Sequence, residues 1–265
     1  MSDSRRERVE VIGDDERRGD GGAHAGDSIN WLLASLPADE YERVVAPRLE
    51  RVPLPLGKVL IEPDAPITHA YFPTAGVISM VSPMPDGVVE VGTVGREGMA
   101  GVPILLHAES VTTRAFVQVV GGAQRMAADD LRSAVRESGA LERVLYRYVQ
   151  ALFGQVAQTA ACNRLHSLEE RCARWLLMTH DSVDGATLPL TQRFLAEMLG
   201  THRPAVTLAA GALQKAGLIR YSRGKVTVVD RAGLEGASCC CYSLIRQAYE
   251  RLLPPPTRAR STGDA

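Results

Sequence analysis

The sequence predicts an α+β fold in which an N-terminal antiparallel β-roll is joined by a long helix to a C-terminal winged helix-turn-helix. Three observations predict it. Between residues 51 and 127 short β-rich runs are broken by turn signals with no long helix between them, the pattern of an antiparallel roll or barrel and not of a parallel sheet. From about residue 128 to residue 181 the periodicity becomes helical. From Leu188 onward a short helix, a glycine-containing turn and a second helix run into a β-hairpin.

Taken in order, residues 1–27 carry Arg, Asp, Glu and Gly with almost no apolar side chains. Such a segment buries too little surface to offset the entropy of ordering, so a disordered tail is expected there. A second such tail is expected over residues 254–265. Trp31, Leu32, Leu33, Leu36, Tyr41 and Val45 form a helical stripe that Pro37-Ala38-Asp39 interrupts and restarts. The β-runs follow: VPLPLG, KVLIEPDAP, HAYFPTAG, VISMVSPMPDG, VVEVGTVG and TTRAFVQVVGG, with Pro85-Asp86-Gly87 as one turn. Together with the flanking helices they make a domain over residues 28–138.

Asp129 and Asp130 suit a helix start. Beyond them Leu141, Leu145, Tyr148, Leu152 and Val156 fall at spacings of three and four and lay one apolar stripe along a helix over residues 139–165. The stripe can pack on the chain's own barrel or meet its symmetry mate in a parallel dimer. A long helix joining two domains favours the dimer. HSLEERCARWLLMTH then reads as an amphipathic helix with Leu168, Cys172, Trp175, Leu176 and Leu177 inward, opening a C-terminal domain over residues 166–253.

Within that domain Thr191 is an N-cap, Phe194, Leu195 and Leu199 form the inner face of a short helix, and Gly200 ends it. Pro204 is tolerated in the first turn of the next helix, whose inner positions are expected at Val206, Leu208, Ala209 and Leu213. Ile219 to Val229, with Gly224 in the turn, is the hairpin wing.

Charge separates this module from the rest. The whole chain has a formal net charge of -1, yet between Thr187 and Thr227 Arg193, Arg203, Lys215, Arg220, Arg223 and Lys225 face one acid, Glu197. A near-neutral chain that concentrates cations on a helix-turn-helix and wing has the footprint for neutralising DNA phosphates. Arg203, at the start of the second helix, is the expected base reader, because a planar guanidinium donates two hydrogen bonds to guanine O6 and N7. Thr201, His202 and Thr207 are lesser candidates for base or phosphate contact. Thr191 and Gln192 are placed to hold phosphates and set the docking angle, and Arg223 and Lys225 are phosphate contacts on the wing.

The five cysteines, Cys162, Cys172, Cys239, Cys240 and Cys241, include no CxxC pair. They are read as reduced thiols, and no metal site is expected. No run approaches a membrane span and the start lacks a signal-peptide pattern, so a cytoplasmic location is expected.

These residues resemble the cyclic-AMP receptor and fumarate-nitrate regulator family, Crp/Fnr, over nearly everything from Trp31 to Leu253. The most specific part is TQRFLAEMLGTHRPAVTLAAGALQKAGLIRYSRGKVTVVD, with Gly200 in the turn and Arg203 at the family's guanine-reading position; YFPTAG, GREGMAG and TTRAFVQV add support. The resemblance implies a cyclic-nucleotide-binding-like β-roll, a dimerising helix, and a homodimer on a palindromic site in double-stranded DNA. RNA polymerase is a further candidate partner.

Two departures limit what carries over. Where cyclic-nucleotide members place a Gly-Glu pair and later Arg-Ser-Ala, this chain has Met99-Ala100-Gly101-Val102 and Thr113-Arg114-Ala115. The arginine stands one place late, which turns it to the other face of a strand. A cyclic nucleotide is therefore not the expected effector, and no cofactor is expected. Arg96, Glu97 and Arg114 remain candidate ligand contacts. The N-terminal cysteine cluster of iron-sulfur members is absent here.

Two other classes fit the sequence less well. An enzyme is disfavoured because the histidines are scattered and no GxSxG, HExxH, P-loop or dinucleotide fingerprint accompanies them. A scaffolding or ligand-binding module without DNA affinity is disfavoured by Arg203 and the basic wing.

Overall fold

A computed structural model of the chain describes residues 30–85 and 87–253. Both expected tails and Asp86 of the expected turn lie outside the described residues.

Asn30 sets the start of the fold. Its side chain caps α1 (Trp31–Ala34) by accepting from Leu32 N at 3.0 Å, and donates to the carbonyls of Pro73 at 2.9 Å and Gly98 at 2.8 Å. The buried amide is thereby satisfied three times, which nails the helix to the sheet behind it. After α2 (Ala38–Glu40), a π turn over Tyr41–Val45 and a 3-10 turn over Ala46–Arg48 bury Val44 and Val45.

Five strands follow: β1 (Glu50–Leu54), β2 (Val59–Ile61), β3 (His69–Met84), β4 (Gly87–Val94) and β5 (Arg114–Ala127). The antiparallel order is β1-β5-β3-β4, with β2 also on β5. HAYFPTAG and VISMVSPM, which turn signals separate in the sequence, are one continuous strand. Gly76 carries the chain through at φ +82, and a Cβ there would lie 2.5 Å from the Val119 carbonyl oxygen. A Cβ on Gly121 would lie 2.0 Å from the Ala75 carbonyl oxygen. The glycines thus mark a bend where two backbones touch, and the β3–β5 register shifts there.

The helical stretch is divided by capping serines. Ser138 ends α3 (Ala128–Glu137) and begins α4 (Gly139–Leu165), accepting from Leu141 N at 3.1 Å and donating to Glu40. Ser167 opens α5 (Leu168–Asp181) in a reciprocal capping box with Glu170.

Four of the five residues in the expected dimer stripe face inward. Leu141, Leu145, Tyr148 and Leu152 belong to the core that also holds Leu32, Phe72, Val94 and Leu131, and Val156 is half-buried. The stripe is apolar because it covers the roll, so the dimer reading of these residues is corrected to an intramolecular one. The outward face of α4 instead shows Tyr146, Phe153 and Leu165, with Ala157 and Ala161 exposed between them.

The C-terminal half contains β6 (Thr187–Pro189), α6 (Gln192–Met198), α7 (Arg203–Lys215), β7 (Ile219–Ser222), β8 (Lys225–Val228), α8 (Arg231–Ala237) and α9 (Cys241–Leu252). The expected hairpin gains β6 as a third strand, in the order β6-β8-β7. A second core joins α5, α6 and α7 and includes Val81 and Phe116 from the roll. Phe194 stands edge-on to Phe116 and Trp175, with centroids 6.2 and 6.4 Å away. The chain then returns, and α9 packs on α4, with the Tyr148 and Tyr249 rings 6.4 Å apart. Among the described residues no helix is long and apolar enough to cross a membrane.

Candidate nucleic-acid interface

The turn between α6 and α7 is set by backbone hydrogen bonds. Gly200, at φ +62, donates to the Glu197 carbonyl at 3.1 Å, and Thr201 donates to the Ala196 carbonyl at 2.9 Å. This paired closure requires a left-handed residue directly after the helix, the role glycine fills at least cost. Arg171 of α5 donates to the Leu199 carbonyl at 2.6 Å, placing a cation on the closing end of α6.

α7 begins at Arg203 with Pro204 next, and His202 supplies no side-chain cap. The buried face is Val206, Ala209, Ala210 and Leu213, which leaves Arg203, Pro204, Thr207, Leu208 and Gly211 exposed. Leu208 was expected inside; at 75% exposure it stands beside Thr207 on the open face. Its position follows from helical phase, since Leu208 lies four residues after the exposed Pro204. The positive end of the helix dipole and the exposed Arg203 guanidinium, unpaired among the described residues, make the same face locally positive.

Neighbouring groups hold this face in shape. Thr191 caps α6 by accepting from Phe194 N at 3.1 Å. Thr207 Oγ1 donates to Gln192 Oε1 at 3.0 Å, so the two helices are tied where both are exposed and the Gln192 NH2 is left to donate elsewhere. Tyr221 N donates to Gln214 Oε1 at 2.6 Å and Tyr221 Oη to the Leu190 carbonyl at 3.0 Å, fixing the wing against α7 and the start of α6.

At the wing tip Arg223 has φ +47 and Gly224 φ +72. Two consecutive left-handed residues make the mirror-image two-residue hairpin that matches strand twist. An arginine in that conformation is uncommon and costs of order 1 kcal/mol. The strain projects Arg223 into solvent next to Lys225, also exposed. Thr191, Gln192, Arg203, Tyr221, Ser222 and Arg223 line one groove of about 310 Å3. The structure therefore brings Thr191, Gln192, Arg203, Thr207 and Arg223 to one face, with Thr201 half-buried and His202 exposed at its edge.

The candidate effector residues are not brought together. Glu97 lines a cavity of about 390 Å3 between the roll, α4, α5 and α9, with Trp31, Thr93, Gln155, Tyr242 and Arg246. Burial pushes its carboxyl above the usual carboxylate range. Arg96 pairs with Asp184 at 3.0 Å and lies over the Trp31 ring at 5.9 Å. Arg114 pairs with Glu62 at 3.0 Å and does not line that cavity.

The sequence reading also passed over a side-chain cluster at the far end of α4. Cys162 and His166 are brought against Cys239 and Cys241. The only local signals were a C-x3-H and a C-x-C spacing, more than seventy residues apart.

Comparison with known proteins agrees with this geometry. Residues 170–237 match the family model of the Crp-like helix-turn-helix domain. No curated protein matches the sequence. Among solved structures, a Crp/Fnr-family protein from Eubacterium rectale is similar at 18% identity and TM-score 0.61, covering 78% of this chain and 96% of its own. FixK2 from Bradyrhizobium japonicum is similar at 15% identity and TM-score 0.61, covering 72% and 98%. A Crp/Fnr-family transcriptional regulator from Thermus thermophilus is similar at 20% identity and TM-score 0.59, covering 71% and 98%. At such identities the likeness is one of fold, and it is the fold of Crp/Fnr regulators: an antiparallel sheet, a long helix and a helix-turn-helix.

Proposed function

We propose that this chain is a cytoplasmic, sequence-specific transcription regulator of the Crp/Fnr type that binds a palindromic operator as a homodimer. One observation carries the reading: Arg203, exposed and without an ion-pair partner among the described residues, stands at the positive end of α7, with Gln192 and Thr207 bridged beside it and Arg223 held forward on the wing. In this reading α7 enters the major groove, Arg203 reads guanine, and Thr207 and Leu208 meet the next bases, the leucine suiting a thymine methyl. Thr191, Gln192, Arg223 and Lys225 hold phosphates and fix the register, with Thr201 and His202 at the groove edge. Two copies pair through the outward face of α4.

The effector is proposed to be other than a cyclic nucleotide. The stretch Met99-Ala100-Gly101-Val102 offers no carboxylate of the kind that cyclic-nucleotide members use, and Arg114 is held by Glu62. RNA polymerase remains a candidate partner. The experiment is selection of bound fragments from genomic DNA by the purified protein, followed by anisotropy titration of the best fragment. A palindromic motif bound at least about a thousandfold above random DNA supports the proposal. Equal affinity for motif and random duplex would defeat it.

A further inference from the structure

Cys162 and His166 stand one helical turn apart on one side of the α4 terminus, where His166 is the capping residue. Cys239 and Cys241 flank Cys240, the residue before α9, and Cys241 opens that helix. The Sγ atoms of Cys162 and Cys239 are 3.4 Å apart, as are Cys241 Sγ and His166 Nδ1, and all four atoms lie within 4.8 Å of one another. A tetrahedral zinc ion with sulfur ligands about 2.3 Å away has ligand-to-ligand edges of roughly 3.8 Å. The four atoms span that size, tighter than the spread needed around a four-iron cube. Three thiolates and one imidazole are also a donor set that zinc favours.

We propose that Cys162, His166, Cys239 and Cys241 form a structural binding site for one divalent zinc ion, clamping the end of α4 to the start of α9.

The surroundings support a ligand role over four unrelated side chains. The three cysteines are buried together as a separate cluster. Gln158 donates to Cys241 Sγ at 3.1 Å, the outer hydrogen bond that orients a coordinating thiolate. Arg174 and Arg171 each bury an Nε with no hydrogen-bond partner in the described structure, and both act on Cys162 electrostatically. Zinc with three thiolates and a neutral imidazole carries one net negative charge, which those guanidiniums offset. Binding releases the three thiol protons and transfers no electron.

The clamp sits at the junction where the long helix passes into the DNA-binding domain, since Ser167 begins α5 directly after His166. It would fix the angle at which that domain leaves α4.

The test is titration of the full chain, reduced and stripped with chelator, with cobalt and then zinc. One cobalt per chain is expected, with the visible bands of tetrahedral coordination and thiolate charge transfer, displaced by one zinc. Cys162→Ser and Cys239→Ser should lose those bands, Cys240→Ser should keep them, and Gln158→Ala should bind about 10- to 100-fold more weakly with the same spectrum. In the unmutated protein, zinc should shield Cys162, Cys239 and Cys241 from alkylation while Cys240 stays reactive, a readout that does not depend on variants folding. Octahedral cobalt alone, binding that survives in Cys162→Ser and Cys239→Ser, iron with acid-labile sulfide at these residues, or a Cys162–Cys239 disulfide whose reduced form takes no metal would each overturn the proposal.

Discussion

Trp175, on the first helix of the C-terminal helix-turn-helix domain, donates its indole N–H to the Glu90 carboxylate of the roll at 2.7 Å. Ser79 donates to the other oxygen of the same carboxylate, and the three groups are buried. The contact joins the two halves of the chain across a surface that Val81, Phe116 and Phe194 complete. A carboxyl buried at a domain interface makes that interface sensitive to protons.

Burial pushes the Glu90 carboxyl up to about 7, against the opposing pull of the Ser79 and Trp175 hydrogen bonds. The folded value lies above the unfolded one, so the native protein holds a proton that the unfolded chain releases. Stability therefore falls as pH rises from about 4.5 to about 7 and levels off above. Glu90→Gln keeps an acceptor for Trp175 and carries no charge. It should raise unfolding stability near pH 8 by about 1 to 3 kcal/mol and leave it nearly unchanged near pH 4. Urea unfolding of both proteins across this range decides; identical pH profiles would show that Glu90 is not the responsible group.

The turn of the helix-turn-helix leans on the same strand. A Cβ on Gly200 would come 2.6 Å from Val89 Cγ2, and Gly200 is held at φ +62. Gly200→Ala should cost about 2 to 3 kcal/mol, part of it left-handed strain and part collision. Adding Val89→Ala should return the collision part alone, a coupling of about 1 kcal/mol in a double-mutant cycle. Strict additivity would mean that the turn does not touch the roll in solution.

What the sequence disclosed and what it hid follow from the range of the interactions. Helix caps and turns are local, so Thr191, Gly200 and the wing glycine were legible from neighbours within four residues. The charge contrast of the module was legible because it is a count along one continuous stretch, Thr187 to Thr227, and needs no knowledge of the fold. Gly76 misled because a glycine that ends a strand and one that lets two strands touch look alike until the partner strand is known. The Leu141 to Leu152 stripe gave the helix but not its neighbour, since a roll and a second copy both select leucine. Leu208 was assigned inward by its apolarity, although helical phase puts it outside. The Cys162 cluster was illegible because its halves meet only after the chain has folded back on α4.

For DNA readout the two arginines should separate. Arg203→Ala should weaken operator binding by about 5- to 150-fold, the loss of a bidentate guanine pair, with a much smaller loss on random duplex. Arg223→Ala should weaken both alike and lower the salt slope of binding by about one. Anisotropy titrations over several salt concentrations measure both quantities. Equal losses on the two DNAs for Arg203→Ala would remove it from base reading.

The proposed dimer can be tested on one face of α4 through two adjacent residues. Leu152 is 7% exposed and packs on the chain's own core, whereas Phe153 is 69% exposed and points away from it. Tyr146, Gln150, Phe153, Ala157 and Ala160 are all exposed and recur at alternating spacings of four and three, the repeat of a two-helix seam along which a second α4 could lie. A phenylalanine left in water on a long helix is the anchor such a seam needs, and a carboxylate there would be desolvated without a partner. Phe153→Glu should therefore raise the dimer dissociation constant about 30-fold or more while the unfolding midpoint of each chain changes little. Leu152→Glu should instead unfold the roll, because its charge enters the core and not the seam. Sedimentation velocity with parallel thermal unfolding separates the two effects. A Phe153→Glu protein as dimeric as the unmutated chain would place the interface elsewhere.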